Sequence, residues 1–210
     1  MILKSIFCHV EKEQKELFST AQEKWKELTK LEGFHGQFGG WNEGTACIFA
    51  VWGNMNTYQQ FMNETHDTIF CNSNQKDTYT SCETELYQSL FDMTETSFTE
   101  VIPNSSFARI AICDVKNGDD QQFLHVQETV WNIGMEKSEG MLGGIVGRSL
   151  TKPNRYLVLS LWKDEESHQY YVEEIFPALY ESANVSAYVS NVNGKQVTYV
   201  DEWSVCPAYS

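Results

Sequence analysis

Five histidines, at positions 9, 35, 66, 125 and 168, are the side chains of this 210-residue chain best suited to moving protons near neutral pH. His66 closes an apolar-periodic stretch and is followed by Asp67. A carboxylate beside an imidazole can fix its tautomer, although adjacent residues on a helix point apart. His35 follows Phe34, and strict strand alternation gives Gln37 and Trp41 the face that His35 occupies. If that face looks into a pocket, His35, Gln37 and Trp41 line it together. Tyr58, Phe61, Met62 and Phe70 form one apolar stripe, which reads either as filled core or as the wall of a hydrophobic ligand pocket. The candidate catalytic residues are therefore His66 and His35, and the candidate ligand-binding residues are Gln37, Trp41, Tyr58 and Phe61. His168, beside Asp164-Glu165-Glu166, reads as a solvated surface residue.

The composition excludes several functions. Fifteen Lys and Arg stand against 29 Asp and Glu, a formal charge of -14, and no basic run is present. Nucleic acid and anionic membrane surfaces are poor partners for such a chain. No apolar run approaches the ~20 residues of a membrane span. The N-terminal stretch lacks the h-region of a signal peptide, which points to a cytoplasmic protein. The six cysteines form no CxxC pair and read as reduced thiols, and the histidines do not cluster with them as a metal site would require. The glycine-rich runs lie between a helix and a strand, where a phosphate loop would lie between a strand and a helix.

The chain repeats itself. Glu32-Gly-Phe-His-Gly-Gln-Phe-Gly-Gly40 and Glu139-Gly-Met-Leu-Gly-Gly-Ile-Val-Gly147 share one pattern. Trp25 and Trp131 precede it, and strands ending in Trp52 and Trp162 follow it. The organisation expected is a first unit over 1–95, a linker over 96–106 and a second unit over 107–210. The first reads as strand 2–10, helix 12–30, strands 34–41 and 45–52, helix 57–66 and strand 83–92. The second reads as strand 108–115, helix 119–136, strands 141–149 and 155–162, helices over 165–182 broken at Pro177, and strand 196–205. Strand-helix-strand-strand-helix-strand is the ferredoxin-like split motif.

The run Leu31-Glu-Gly-Phe-His-Gly-Gln-Phe38, the hairpin after it and Ala50-Val-Trp52 resemble the antibiotic-biosynthesis-monooxygenase superfamily. So do Glu139-Gly-Met-Leu-Gly143 and Ser160-Leu-Trp162. The stretch Gln37-Phe-Gly-Gly-Trp41 is most similar to a functionally uncharacterised branch of it. The resemblance implies an α+β fold, with two tandem ferredoxin-like (βαββαβ) units forming an α+β barrel within one chain. It also implies a pocket between sheet and helices in each unit, and homodimerisation is allowed but not required. Heme-degrading members use an Asn, a Trp and a His. Their helix positions fall here on Phe61 and Cys71 and, in the second half, on Tyr171 and Glu181, so heme degradation is not expected. Other members oxidise aromatic polyketides without a cofactor, using a base to form a carbanion that meets oxygen. The expected function is therefore monooxygenase-like binding of a small apolar or aromatic molecule in the first half, with no cofactor and no metal. The alternative is a non-catalytic binder or a structural, assembly protein with a degenerate pocket.

Overall fold

A computed structural model describes residues 1–207. Two compact units are present: residues 1–86 with the C-terminal stretch from Val197, and residues 87–196. The protein is α+β, and every strand pairing defined in register is antiparallel.

The first unit holds β1 (Ile2–His9), α1 (Lys15–Gln22) with a 3-10 extension (Glu23–Lys30), β2 (Phe34–Asn42), β3 (Thr45–Trp52), α2 (Met55–Glu64) and α3 (His66–Ser73). It also holds the start of β4 (Ser81–Asp92) and the end of β8 (Val189–Tyr199). Its strand order is β4-β1-β3-β2-β8. The β1–β3 register runs from Ile2 opposite Trp52 to His9 opposite Thr45. Alternation then puts Ile2, Lys4, Ile6 and Cys8 on the helix-facing side with Trp52, Ala50, Ile48 and Ala46. The opposite face carries Phe7, Phe38 and Phe49, with the Phe38 and Phe49 rings stacked at 5.6 Å.

The second unit holds α4 (Phe98–Val101), β5 (Phe107–Val115), α5 (Asp120–Val126), α6 (Ile133–Glu136), β6 (Met141–Ser149), β7 (Arg155–Trp162), α7 (Glu165–Tyr170) and α8 (Phe176–Ala183). Its strand order is β8-β5-β7-β6-β4. A π-helical turn, Gln127–Asn132, joins α5 to α6, and Gln127 Nε2 donates to Asn132 Oδ1 across that five-residue step at 2.8 Å.

The shared glycine motif has the same geometry in both units. Gly33 and Gly140 adopt left-handed backbone (φ 72° and 84°) after the helix. Their carbonyls accept from Gly53 N (2.7 Å) and Lys163 N (2.8 Å), just past the strand-end tryptophans. Each lacks a Cβ because the next helix's capped first turn sits against it, through Thr57 in one unit and Ser167 in the other. Those turns are closed by Asn54 Oδ1 accepting from Thr57 N and Asp164 Oδ1 accepting from Ser167 N.

Several expected elements differ. The last strand, expected over 196–205, is Val189–Tyr199, followed by a 3-10 turn at Asp201–Trp203. The side chains from Ser190 to Gly194 are exposed, so composition reads as loop while the backbone is in the sheet. Asn72-Ser-Asn74 reads as irregular, yet it ends a real helix, α3, through a left-handed cap at Asn74 (φ 53°). Within the stretch expected as linker, α4 and a 3-10 turn bury Phe98, Val101 and Ile102. His168 is 1% exposed, against the surface position expected for it. Glu165 and Glu166 sit in the first turn of α7, whereas His168 falls three residues on and turns inward against Phe107 and Trp162.

Candidate functional site

A cavity of about 360 Å³ lies on the helix-facing side of the first unit's sheet. Lys4, Gln37, Trp52, Phe61 and His66 are in its wall. Ligand sites generally occupy roughly 300–1,000 Å³ and are mostly apolar with a few placed polar groups.

His66 begins α3, and its Nδ1 lies 2.9 Å from Asp67 Oδ1. The side chain is 20% exposed while Asp67 is 89% exposed, so the carboxylate holds the imidazole from the solvent side. At the first residue of a short helix the two neighbours can meet, where in mid-helix they would diverge. The imidazole sits among Trp25 (5.5 Å), Phe61 (5.6 Å, edge-on) and Phe70 (5.8 Å, stacked at 15°). With Nδ1 engaged by Asp67, Nε2 is the ring nitrogen left for a ligand.

The polar lining is ordered. Trp25 Nε1 donates to Gln75 Oε1 at 2.8 Å, and Gln75 Nε2 donates to Gln22 Oε1 at 2.7 Å. Gln37 is buried, and its Nε2 donates to the Trp203 carbonyl at 3.2 Å. Lys4 is 8% exposed, with Nζ 3.8 Å from Met62 Sδ and 5.6 Å from the Tyr58 ring centroid. Burial pushes its ammonium below the usual lysine range, and no carboxylate pairs with it among the described residues.

Of the residues expected at the site, His66, Gln37 and Phe61 line the cavity. Tyr58 lies behind the wall, packed on Trp52 (6.2 Å) and Phe61 (6.5 Å). Trp41 is elsewhere, against Trp203 (5.0 Å), Phe18 (5.7 Å) and the Lys15 ammonium (4.7 Å). His35 is not in the wall, because β2 carries a bulge there. Phe34 pairs with Trp52 and Gly36 with Val51, which leaves His35 as the extra residue. Parity resets at Gly36 (φ 149°), so Gln37 keeps the helix-facing side and His35 loses it. Lys4 is a charged wall residue that the sequence reading missed. Its signal was a single charge at the parity of Ile2, Ile6 and Cys8.

Cys8 and Cys82 also belong to this wall, with their Sγ atoms 2.8 Å apart. The shared hydrogen bond raises the Cys8 thiol and lowers Cys82, whose charged form Lys4 also favours. Hydrogen peroxide should therefore join them. The Cys82 thiolate attacks the O–O bond and leaves hydroxide, and the Cys8 thiol then displaces hydroxide from the sulfenic acid as water. Intact mass should fall by two hydrogens, with a peptide linking positions 8 and 82 that Cys82→Ser abolishes. Oxidation of the exposed Cys71 ahead of this pair would show the opposite ordering.

The second unit holds its own cavity, about 240 Å³, on the same side of its sheet. No residue of β6 lines it. Here the polar groups come instead from β5 (Arg109), β7 (Ser160) and the π turn (Gln127). Its aromatic cage follows the first unit's residue for residue. Trp25–His66 at 5.5 Å corresponds to Trp131–Phe176 at 5.6 Å. Trp52–Phe61 at 4.7 Å corresponds to Trp162–Tyr171 at 5.1 Å. His66–Phe70 at 5.8 Å corresponds to Phe176–Tyr180 at 5.6 Å. The cation is also kept. Lys4 stands opposite Ala50, and Arg109 opposite Ser160, each two residues along from the partner of the strand-end tryptophan. The base is not kept, for Phe176 stands where the first unit has His66.

Beside this cavity, burial and the nearby Arg109 hold the His168 imidazole down at about 4. Its Nε2 is buried without a partner among the described residues. Above pH 6.5 the folded and unfolded chains both carry it neutral. Between 6.5 and about 4 only the unfolded chain takes the proton, so stability falls as pH falls through that window, by roughly 3 kcal/mol in full. Urea unfolding of the wild type and of His168→Phe should diverge by about that amount between pH 7 and pH 4. Parallel curves would mean that His168 is not the group responsible.

A helix-facing cavity on an antiparallel sheet, built twice on one glycine motif, defines the class, and the chain belongs to the antibiotic-biosynthesis-monooxygenase superfamily. Residues 106–174 match the antibiotic biosynthesis monooxygenase family, and residues 2–87 match a domain of unknown function, DUF4937. Over 93 residues the chain is 36% identical to the uncharacterized protein YdbC of Bacillus subtilis (strain 168), covering 42% of this chain and 78% of that protein. Among solved structures, a candidate monooxygenase of Lactobacillus acidophilus NCFM shares the fold at TM-score 0.73 and 15% identity, over 98% of this chain and 95% of its own. An anthrone oxidase-like protein does so at TM-score 0.71 and 11% identity, over 95% and 90%. Cys71, the position that the resemblance gives to the histidine of heme-degrading members, is exposed on α3 and lines neither cavity.

Proposed function

We propose that the first unit is a cofactor-independent oxygenase site for a small aromatic molecule with an acidic C–H or O–H. The observation that carries this reading is the His66–Asp67 pair, set in an aromatic cage with the Lys4 ammonium in the same cavity wall. A CH₂ flanked by two aryl rings and conjugated to a carbonyl is the fitting substrate. His66 Nε2 removes one proton, and the charge left on the enolate oxygen is met by Lys4. The carbanion gives its electrons to dioxygen and forms a C–O bond. Proton return and loss of water from the resulting hydroperoxide convert CH₂ to C=O. One oxygen atom enters the product and the other leaves as water, so the substrate supplies all the electrons and no cofactor is consumed. The cage supplies the apolar surface that such a ring system would bury.

Anthrone is the probe, chosen for this chemistry and for the fold likeness to the anthrone oxidase-like protein. In an oxygen-electrode assay at pH 7.5, catalysed uptake of one O₂ per anthrone, with anthraquinone as product, supports the reading. Uptake equal to the protein-free rate overturns it for this substrate class. Under that outcome, saturable anthrone binding by fluorescence would assign the cavity to a non-catalytic binder.

A further inference from the structure

We infer that the second unit is a separate binding site for an aromatic carboxylate, anchored by Arg109 and without a catalytic base. Arg109 reaches from β5 into the 240 Å³ cavity. One guanidinium nitrogen donates to the carbonyls of Ile110 and Lys195, and the group packs against Gly194, where a Cβ would strike it. No carboxylate pairs with it among the described residues, although Arg148 pairs with Asp120 and Arg155 with Asp114. In a chain of charge -14, a cation inside a cavity with no acid beside it is a place kept for an anion.

The rest of the wall sets the ligand's shape. Trp131, Phe176, Tyr180, Tyr188 and Phe123 offer aromatic faces, with Ser160 toward the Arg109 end of the sheet. A cavity of about 150 Å³ accepts benzene, so this larger one has room for a bicyclic ring bearing one acid. A carboxylate matches the guanidinium fork with two parallel hydrogen bonds, which a phenol or an amide cannot do. With Phe176 where the first unit has His66, no group there takes a proton from the ligand, so binding leaves it unchanged. The site is thus of a different kind from the first cavity, and its test does not depend on oxygen chemistry.

The experiment titrates the full chain with 2-naphthoate and with 2-naphthamide, its neutral counterpart, following tryptophan fluorescence and calorimetry. Naphthoate should bind at one site at least tenfold more tightly than the amide. Arg109→Gln should remove that preference while the amide still binds, which also shows that the cavity remains folded. Arg109→Lys should restore part of the preference. Trp131→Phe should diminish the fluorescence response, whereas His66→Ala should leave the naphthoate affinity as it was. Equal affinity for acid and amide, a preference that survives Arg109→Gln, a preference lost with His66→Ala, or no binding at millimolar concentration would each overturn the assignment.

Discussion

His66→Ala is expected to lower kcat/KM for anthrone oxidation by about 10²–10⁴-fold, the usual contribution of a positioned general base. KM should change little, since the cage of Trp25, Phe61 and Phe70 remains. Asp67→Asn should cost less, because its carboxylate touches Nδ1 and orients the ring without touching the substrate. Lys4→Met should lower kcat chiefly, since the enolate charge that Lys4 meets is absent from the neutral substrate. Steady-state oxygen uptake with each variant checks all three. A His66→Ala enzyme as fast as wild type would move the base elsewhere. The remaining histidines are poor substitutes: His35 stands outside the wall, and His168 belongs to the second unit.

The second large effect is on stability. Trp52→Ala should cost about 3–5 kcal/mol, the range for removing a large aromatic from a packed core. Trp52 is 1% exposed, stacks on Phe61 at 4.7 Å and meets Phe34 edge-on at 5.3 Å. For a chain of this size each kcal/mol lowers Tm by roughly 2–4 °C, so the loss should be on the order of 10 °C. Trp52→Phe should be mild, because the indole Nε1 is buried with no partner among the described residues and no hydrogen bond is lost with it. Thermal unfolding of the two variants side by side checks the argument. A large loss in both would mean that Nε1 has a partner after all.

Much of the fold was legible because its signals are local. Strands ending in Trp52 and Trp162, the hairpins and the two glycine motifs follow from alternation and turn chemistry, and each is found where expected. Two of the elements missed are ones that local composition does not mark. From Ser190 to Gly194, β8 lies in the sheet although its residues are exposed and carry no apolar alternation. The α3 helix is short and rich in polar residues, and its stop signal at Asn74 was read as its absence.

At the site, the sequence alone determined the residue types and their spacing: His66 beside Asp67, aromatics at helical intervals, and a repeat of the whole pattern. Which of them share a cavity depends on how the elements pack. One bulge at Phe34/Gly36 turned His35 away from Gln37, because side-chain parity in a strand is reset by a single inserted residue. Lys4 and Arg109 gained their significance the same way. A lone charge on a strand has meaning only when the facing elements are known, and here no carboxylate among the described residues pairs with either one. The two halves place their cages alike but fill them differently: histidine meets Trp25 in the first where phenylalanine meets Trp131 in the second, a change that only these matching contacts make visible.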